Sequence, residues 1–206
     1  MKRLISIAVL AACCAAPVAA APSTLTLKAS PTVVVYGGST TLSGVLSTQQ
    51  AGQRVDIQSQ ECGSPAFKKV TTVTTTTGGA FIYAAKPTLN TNFQAKQRKV
   101  TSPTAAVKVA PVLTLKKLAR NKFSVSATAA QSFVGKYAIF QRLRTTKWVS
   151  LKKVTFATVT PTTKPTQVSS VTFTIRMPLR LRIRAVMPAA QAATCYLGAR
   201  SKVIRS

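Results

Sequence analysis

Residues 176–188 read RMPLRLRIRAVMP. From Leu179 to Ala185 aliphatic residues and arginines alternate: Leu179, Arg180, Leu181, Arg182, Ile183, Arg184, Ala185. Successive side chains of a strand point to opposite faces, so period-two alternation marks a half-buried β-strand. On this reading Leu179, Leu181 and Ile183 face a core. Arg180, Arg182 and Arg184 share the outer face, with Arg176 at the same parity. That face meets either water or an anion from outside the chain.

Composition sharpens the choice. The 206 residues hold 29 Lys or Arg, two acids and no His, a net charge of +27. The acids are Asp56 and Glu61, and none of the 145 residues after Glu61 is acidic. Internal salt bridges cannot neutralise such a surface, so it attracts polyanions with a strength that falls as salt rises. Nucleic acid, anionic glycans, cell-wall polymers and lipid headgroups all qualify.

The same composition removes most enzyme chemistry. Without His, a Ser-His-Asp or Cys-His arrangement cannot be built. A carboxylate pair would need Asp56 and Glu61, five apart on one expected strand and on opposite faces. Metal ligands do not cluster, and no cofactor is implied. Ser–Lys chemistry is the one arrangement left, and no motif supports it. The chain is therefore expected to be non-enzymatic, with no catalytic, cofactor-binding or metal-binding residue.

The first residues form an address. Lys2 and Arg3 precede an apolar run from Leu4 to Ala16, then Pro17 and the small residues Val18, Ala19 and Ala20. This pattern is a secretory signal peptide over 1–20, cleaved after Ala20. The run is too short for a confident membrane span, so none is expected after cleavage. Within it, Leu10-Ala11-Ala12-Cys13 resembles a bacterial lipobox, so lipidation of Cys13 is the alternative to soluble export. Cleavage after Ala20 leaves Cys62 and Cys195, 133 residues apart. Export permits a disulfide between them, and free thiols are the other reading.

Short apolar–polar runs recur between Gly, Pro, Asn and Ser, with no sustained helical period, which points to an all-β chain. Strands are expected at 24–29, 32–36, 39–46, 53–60, 67–75, 80–85, 91–97 and 104–109, with a tight turn at Thr77-Gly78-Gly79. The second half repeats the scheme. LTLK occurs at 25–28 and 113–116, FKKV at 67–70 is echoed by LKKV at 151–154, and Gly52–Gln58 aligns with Gly135–Gln141. Offsets of 88, 84 and 83 residues in the same order point to a duplicated domain.

VVYGGSTTLSGVLSTQQAGQRVDIQSQ (34–60) and TTTTGGAFIYAAKPTLNTNFQA (74–95) resemble immunoglobulin-like repeats of secreted bacterial surface proteins. SFVGKYAIFQR (132–142), KWVSLKKV (147–154) and CYLGARSKVIR (195–205) are similar to the same family. The resemblance implies two tandem Ig-like β-sandwiches, 22–110 and 111–206, of the kind used as spacers, adhesive modules or wall-associated domains. Its motifs mark strands and turns, not a ligand site. Phe93 stands where the family has Tyr, which removes the hydroxyl of a tyrosine corner.

Charge divides unevenly between these halves. Residues 22–110 carry nine Lys or Arg and both acids, net +7, while 111–206 carry eighteen and no acid, net +18. Further basic clusters lie at 116–122, 142–147, 152–153 and 200–205. Arg176, Arg180, Arg182 and Arg184 are the polyanion-contact candidates, because guanidinium forks suit phosphate, sulfate and carboxylate. "LRLRIR" is read as the sixth strand of the second domain, and Trp148 as a core or half-buried residue. Nonspecific nucleic-acid contact remains open through counterion release, although no nucleic-acid-binding signature is present. The expectation is a secreted or envelope-associated protein with a structural or adhesive role, its basic second domain on anionic envelope polymer. The alternative is an exported carbohydrate- or protein-binding module whose charge serves only solubility.

Overall fold

The computed structural model describes residues 23–192 and 194–206. The readings placed on the leader and on Cys13 lie outside the described residues. The protein is all-β. Its strands are β1 (Lys28–Ser30), β2 (Val33–Val35), β3 (Thr40–Val45), β4 (Arg54–Glu61), β5 (Lys68–Thr74), β6 (Ala80–Ala85), β7 (Thr91–Gln97), β8 (Val100–Thr101) and β9 (Ala105–Ala110). There follow β10 (Val112–Ala119), β11 (Lys122–Ala129), β12 (Tyr137–Arg144), β13 (Lys147–Thr155), β14 (Thr158–Pro161), β15 (Gln167–Thr174), β16 (Arg182–Met187), β17 (Ala199–Arg200) and β18 (Ile204–Arg205).

These strands form four sheets, an arrangement compatible with β-sandwiches. The order β1-β3-β6 makes one, and β2-β9-β7-β4-β5 with β8 beside β7 makes the second. The orders β10-β11-β15-β14 and β13-β12-β16-β17, with β18 also on β16, make the others. All pairs are antiparallel except β2 with β9. Every ladder among the described residues lies either within 23–110 or within 111–206, here called the first and second halves.

Alternation drives strand formation. In β11, Phe123, Val125, Ala127 and Ala129 are buried, while Lys122, Ser124, Ser126 and Thr128 are not. The first half buries mainly aliphatic residues, among them Leu42, Leu46, Val55, Ile57, Val107 and Val109. The second half is built on phenylalanines. Phe140 lies 5.3 Å from Phe123 and 5.1 Å from Phe173, centroid to centroid, within the range of favourable aromatic pairs. Phe93, lacking a hydroxyl, is simply buried in the core.

Three glycines are required by geometry. Gly78 and Gly79 have φ of 78° and 73° in the turn that leads into β6, which L side chains rarely adopt. Gly44 is paired with Phe81, and a Cβ there would run into the Phe81 ring and the Thr26 carbonyl.

Candidate functional site

The arginine run of 176–188 does not form one strand. β16 begins only at Arg182. Arg176 lies in the irregular segment before it, and Arg180 sits in a turn with φ 65°. The turn accounts for the break, since a residue with positive φ cannot continue an extended strand. Ser206 pins the turn. Its Oγ donates to Pro178 O (2.8 Å) and accepts from Leu181 N (3.0 Å), and its N–H donates to Leu181 O (2.9 Å). The expected four-arginine stripe thus shrinks to Arg182 and Arg184. Leu179, expected in the core, is 55% exposed, whereas Ile183 is fully buried. β16 is also the seventh strand after Pro111, not the sixth.

Register rebuilds a basic face around the two remaining arginines. Directly opposed residues of antiparallel strands share a face. Arg182 opposes Arg205, Val186 opposes Arg200, Ile139 opposes Lys153, and Gln141 opposes both Arg184 and Ser150. Leu143 opposes Trp148. Lys153, Arg182, Arg184, Arg200 and Arg205 therefore lie on one side of the sheet, together with Trp148 and Tyr137. Arg200, Arg205 and Lys153 belong to basic clusters visible in the sequence. Their place beside Arg182 and Arg184 is set by pairing with β12, β17 and β18, which no local pattern encodes.

Two of these cations are held by aromatic rings. The Arg184 guanidinium lies 4.0 Å from the centroid of Trp148, and Lys153 Nζ lies 5.1 Å from that of Tyr137. Arg184 Nε donates to Gln141 Oε1 (2.9 Å), and Gln141 Nε2 donates to Ser150 Oγ (3.3 Å). Trp148 is thus half-buried beneath a cation, not an open stacking platform. Burial first, and then the charge of Arg200, hold the Arg184 guanidinium below its ordinary value. A pre-positioned guanidinium loses less side-chain freedom when it meets an anion. On the other face of β12, Arg142 has its Nε buried with no partner among the described residues.

Carboxylates do not answer this charge. The one ion pair among the described residues is Lys69 Nζ to Asp56 Oδ1 (2.8 Å), in the first half. The hydrogen bond from Lys69, followed by one from Thr72, holds the Asp56 carboxyl below its usual range. Among the described residues no group of three His, Cys, Asp or Glu comes together.

A polar seam joins the halves. Cys62 and Cys195 form a disulfide. Beside it, Asn90 N donates to Cys195 O (3.0 Å) and Leu197 N to Val109 O (2.8 Å). The Tyr196 hydroxyl accepts from Ala130 N (2.9 Å) and donates to Thr88 O (2.7 Å). Tyr36 and Thr166 share a further hydrogen bond of 2.9 Å. Burial pushes the Tyr196 phenol up to about 12.

No protein-family model matches the chain, and no curated protein matches it. The roles of these residues rest on their geometry and chemistry.

Proposed function

We propose that this is a non-enzymatic, exported protein of two Ig-like domains with a structural or adhesive role, whose basic second domain contacts anionic envelope polymer. The single observation that carries the reading is the face on β12, β13, β16, β17 and β18. There five cations lie together in a half that has no acid to neutralise them. The tandem reading is supported by matching strand order. β3 lies between β1 and β6 as β11 lies between β10 and β15, and β4 lies between β7 and β5 as β12 lies between β16 and β13.

Like charges on neighbouring strands destabilise the free face modestly, and a polyanion relieves that repulsion. Linear anionic polymers present repeated charges to repeated guanidinium forks, and binding releases their counterions. Contact is therefore expected to weaken steeply with salt.

The test is retention on dextran sulfate and on isolated bacterial envelopes across a salt series. Replacing Arg182, Arg184, Arg200 and Arg205 together by Gln should flatten the dependence of log affinity on log salt. Retention that ignores salt, or that survives the quadruple replacement, overturns the reading. It would favour a specific carbohydrate or protein partner instead.

A further inference from the structure

Three connections of the second half come together at the end opposite the seam. β10 turns into β11 through Arg120 and Asn121, and β12 into β13 through Thr145 and Thr146. β15 ends with Thr174 paired to Lys122, and the chain then runs through 175–181 into β16. β16 starts beside the β12 turn, with Ile183 paired to Arg142. The seam lies at the far end of β11, where Tyr196 meets Ala130.

The turns are braced against one another. Asn121, at φ 61°, accepts from Ile175 N at its backbone O (2.9 Å) and from Met177 N at Oδ1 (3.2 Å). Ser206 fixes Pro178 and Leu181 from below. Side chains that point outward from such turns are held in solvent and cannot fold back.

Two kinds of side chain are held out there. Among the described residues the exposed large hydrophobics include two leucines, Leu118 (52%) and Leu179 (55%), and both stand at this end. Leu118 is next to the last residue of β10, Leu179 lies in the turn before β16, and β10 packs against β16. Around them Arg120, Lys122, Arg144, Lys147, Arg176 and Arg180 are all exposed, in a half with no acidic side chain.

Single exposed aliphatic residues are ordinary. Leucines on adjoining, braced turns inside a ring of cations fit a particular occupant. A hydrophilic polymer offers leucine nothing. At a membrane surface the leucines leave water for the boundary between headgroups and acyl chains, while Lys and Arg stems reach back to the phosphates. Anionic lipid attracts each such cation in addition. No helix among the described residues is long and apolar enough to cross a membrane, so the contact is peripheral.

We propose that this end of the second half docks on an anionic phospholipid surface, with Leu118 and Leu179 entering the headgroup boundary and the surrounding cations meeting lipid phosphates. This goes beyond the polymer reading. It uses turns at one end of the half, not the sheet face, of which only Arg182 and Arg205 border it.

The test is sedimentation of the mature chain with vesicles of equal parts phosphatidylglycerol and phosphatidylcholine, and with phosphatidylcholine alone. Binding to the first and not the second is expected, falling as salt rises. Leu118→Ser with Leu179→Ser should weaken vesicle binding about tenfold or more, by loss of apolar burial, and leave retention on dextran sulfate unchanged. Arg120→Gln, Arg176→Gln and Arg180→Gln together should weaken vesicle binding about a hundredfold. A polarity-sensitive dye on Leu179→Cys should shift to the blue on anionic vesicles. The same dye on Val134→Cys, exposed in the connection between β11 and β12 at the opposite end, should not.

Failure to bind anionic vesicles overturns the proposal. So does binding indifferent to the leucine pair, which would make the vesicle one more polyanion for the basic face, or a dye shift at 134 as large as that at 179. Thermal melts matching the parent exclude misfolding of the serine variant, and if they differ the two dye positions decide by themselves. The two readings fail separately. The quadruple Gln replacement on the face removes dextran sulfate retention and leaves the shift at 179 on saturating vesicles, and the leucine pair does the reverse.

Discussion

The two halves share an order of strands and differ in almost everything laid on it. The first half packs aliphatic side chains, holds both acids and ends its smaller sheet at β6. The second packs phenylalanines, holds no acid, covers β15 with β14 and carries net charge +18. Strand order needs only alternation and turns, which many compositions satisfy. Charge and edge protection are free to diverge, and they decide what each half meets. On the proposed reading the second half meets anions.

The comparison breaks first at the cores. Phe140→Ala removes the ring that touches both Phe123 and Phe173, and should cost about 3–5 kcal/mol. Denaturant unfolding monitored at Trp148, in the second half, should register the loss. A probe placed in the first half should shift less. Equal shifts would mean that the halves unfold as one unit.

The disulfide tests that coupling directly. Replacing Cys62 and Cys195 by Ser opens a cross-link spanning 133 residues, a change typically worth about 2–5 kcal/mol. Calorimetry should then resolve two transitions where the oxidised protein shows one. A single transition in both forms would show that the hydrogen-bonded seam suffices to couple the halves.

Tyr196 offers a narrower probe of the same seam. Tyr196→Phe strands Ala130 N and Thr88 O, at a cost of about 1–3 kcal/mol. The sign of its pH dependence follows from burial, which favours the neutral phenol in the folded state. The folded value of about 12 lies above the ordinary tyrosine value of about 10. Its stabilisation is therefore complete below pH ~10 and lost as pH rises toward ~12. Chemical denaturation across that interval should show a steeper decline for the parent than for Tyr196→Phe, since deprotonation of lysines affects both proteins.

The smallest effect concerns the basic face. Arg184→Gln removes the cation from Trp148 and should alter stability by about 1 kcal/mol, because such contacts are weak where solvent still reaches them. It should reduce the salt dependence of polyanion retention and change the Trp148 emission. A large loss of stability would make Arg184 a structural residue first.

Parts of this were legible in the chain. The strand expected at 53–60 is found at Arg54–Glu61, and those expected at 80–85 and 91–97 are found at Ala80–Ala85 and Thr91–Gln97. Alternation and glycine turns are local properties, written in consecutive residues. The stripe at 176–188 was misread because alternation was followed through the turn at Leu179–Arg180, where Arg180 takes a positive φ that no strand residue has. Trp148 likewise gave no sign that a guanidinium would lie over it.

The sequence by itself determined that the protein is all-β, that its second half holds no acidic side chain, and which parity of β16 is buried. Composition and period two require no knowledge of neighbours. Only the tertiary structure decided that Arg182 meets Arg205, that Arg184 lies on Trp148 and is held by Gln141, that Cys62 reaches Cys195, and that β6 lacks the cover β14 gives β15. Those are choices of register and strand neighbour between residues distant in the chain. They are set by which pairing buries both cores at once.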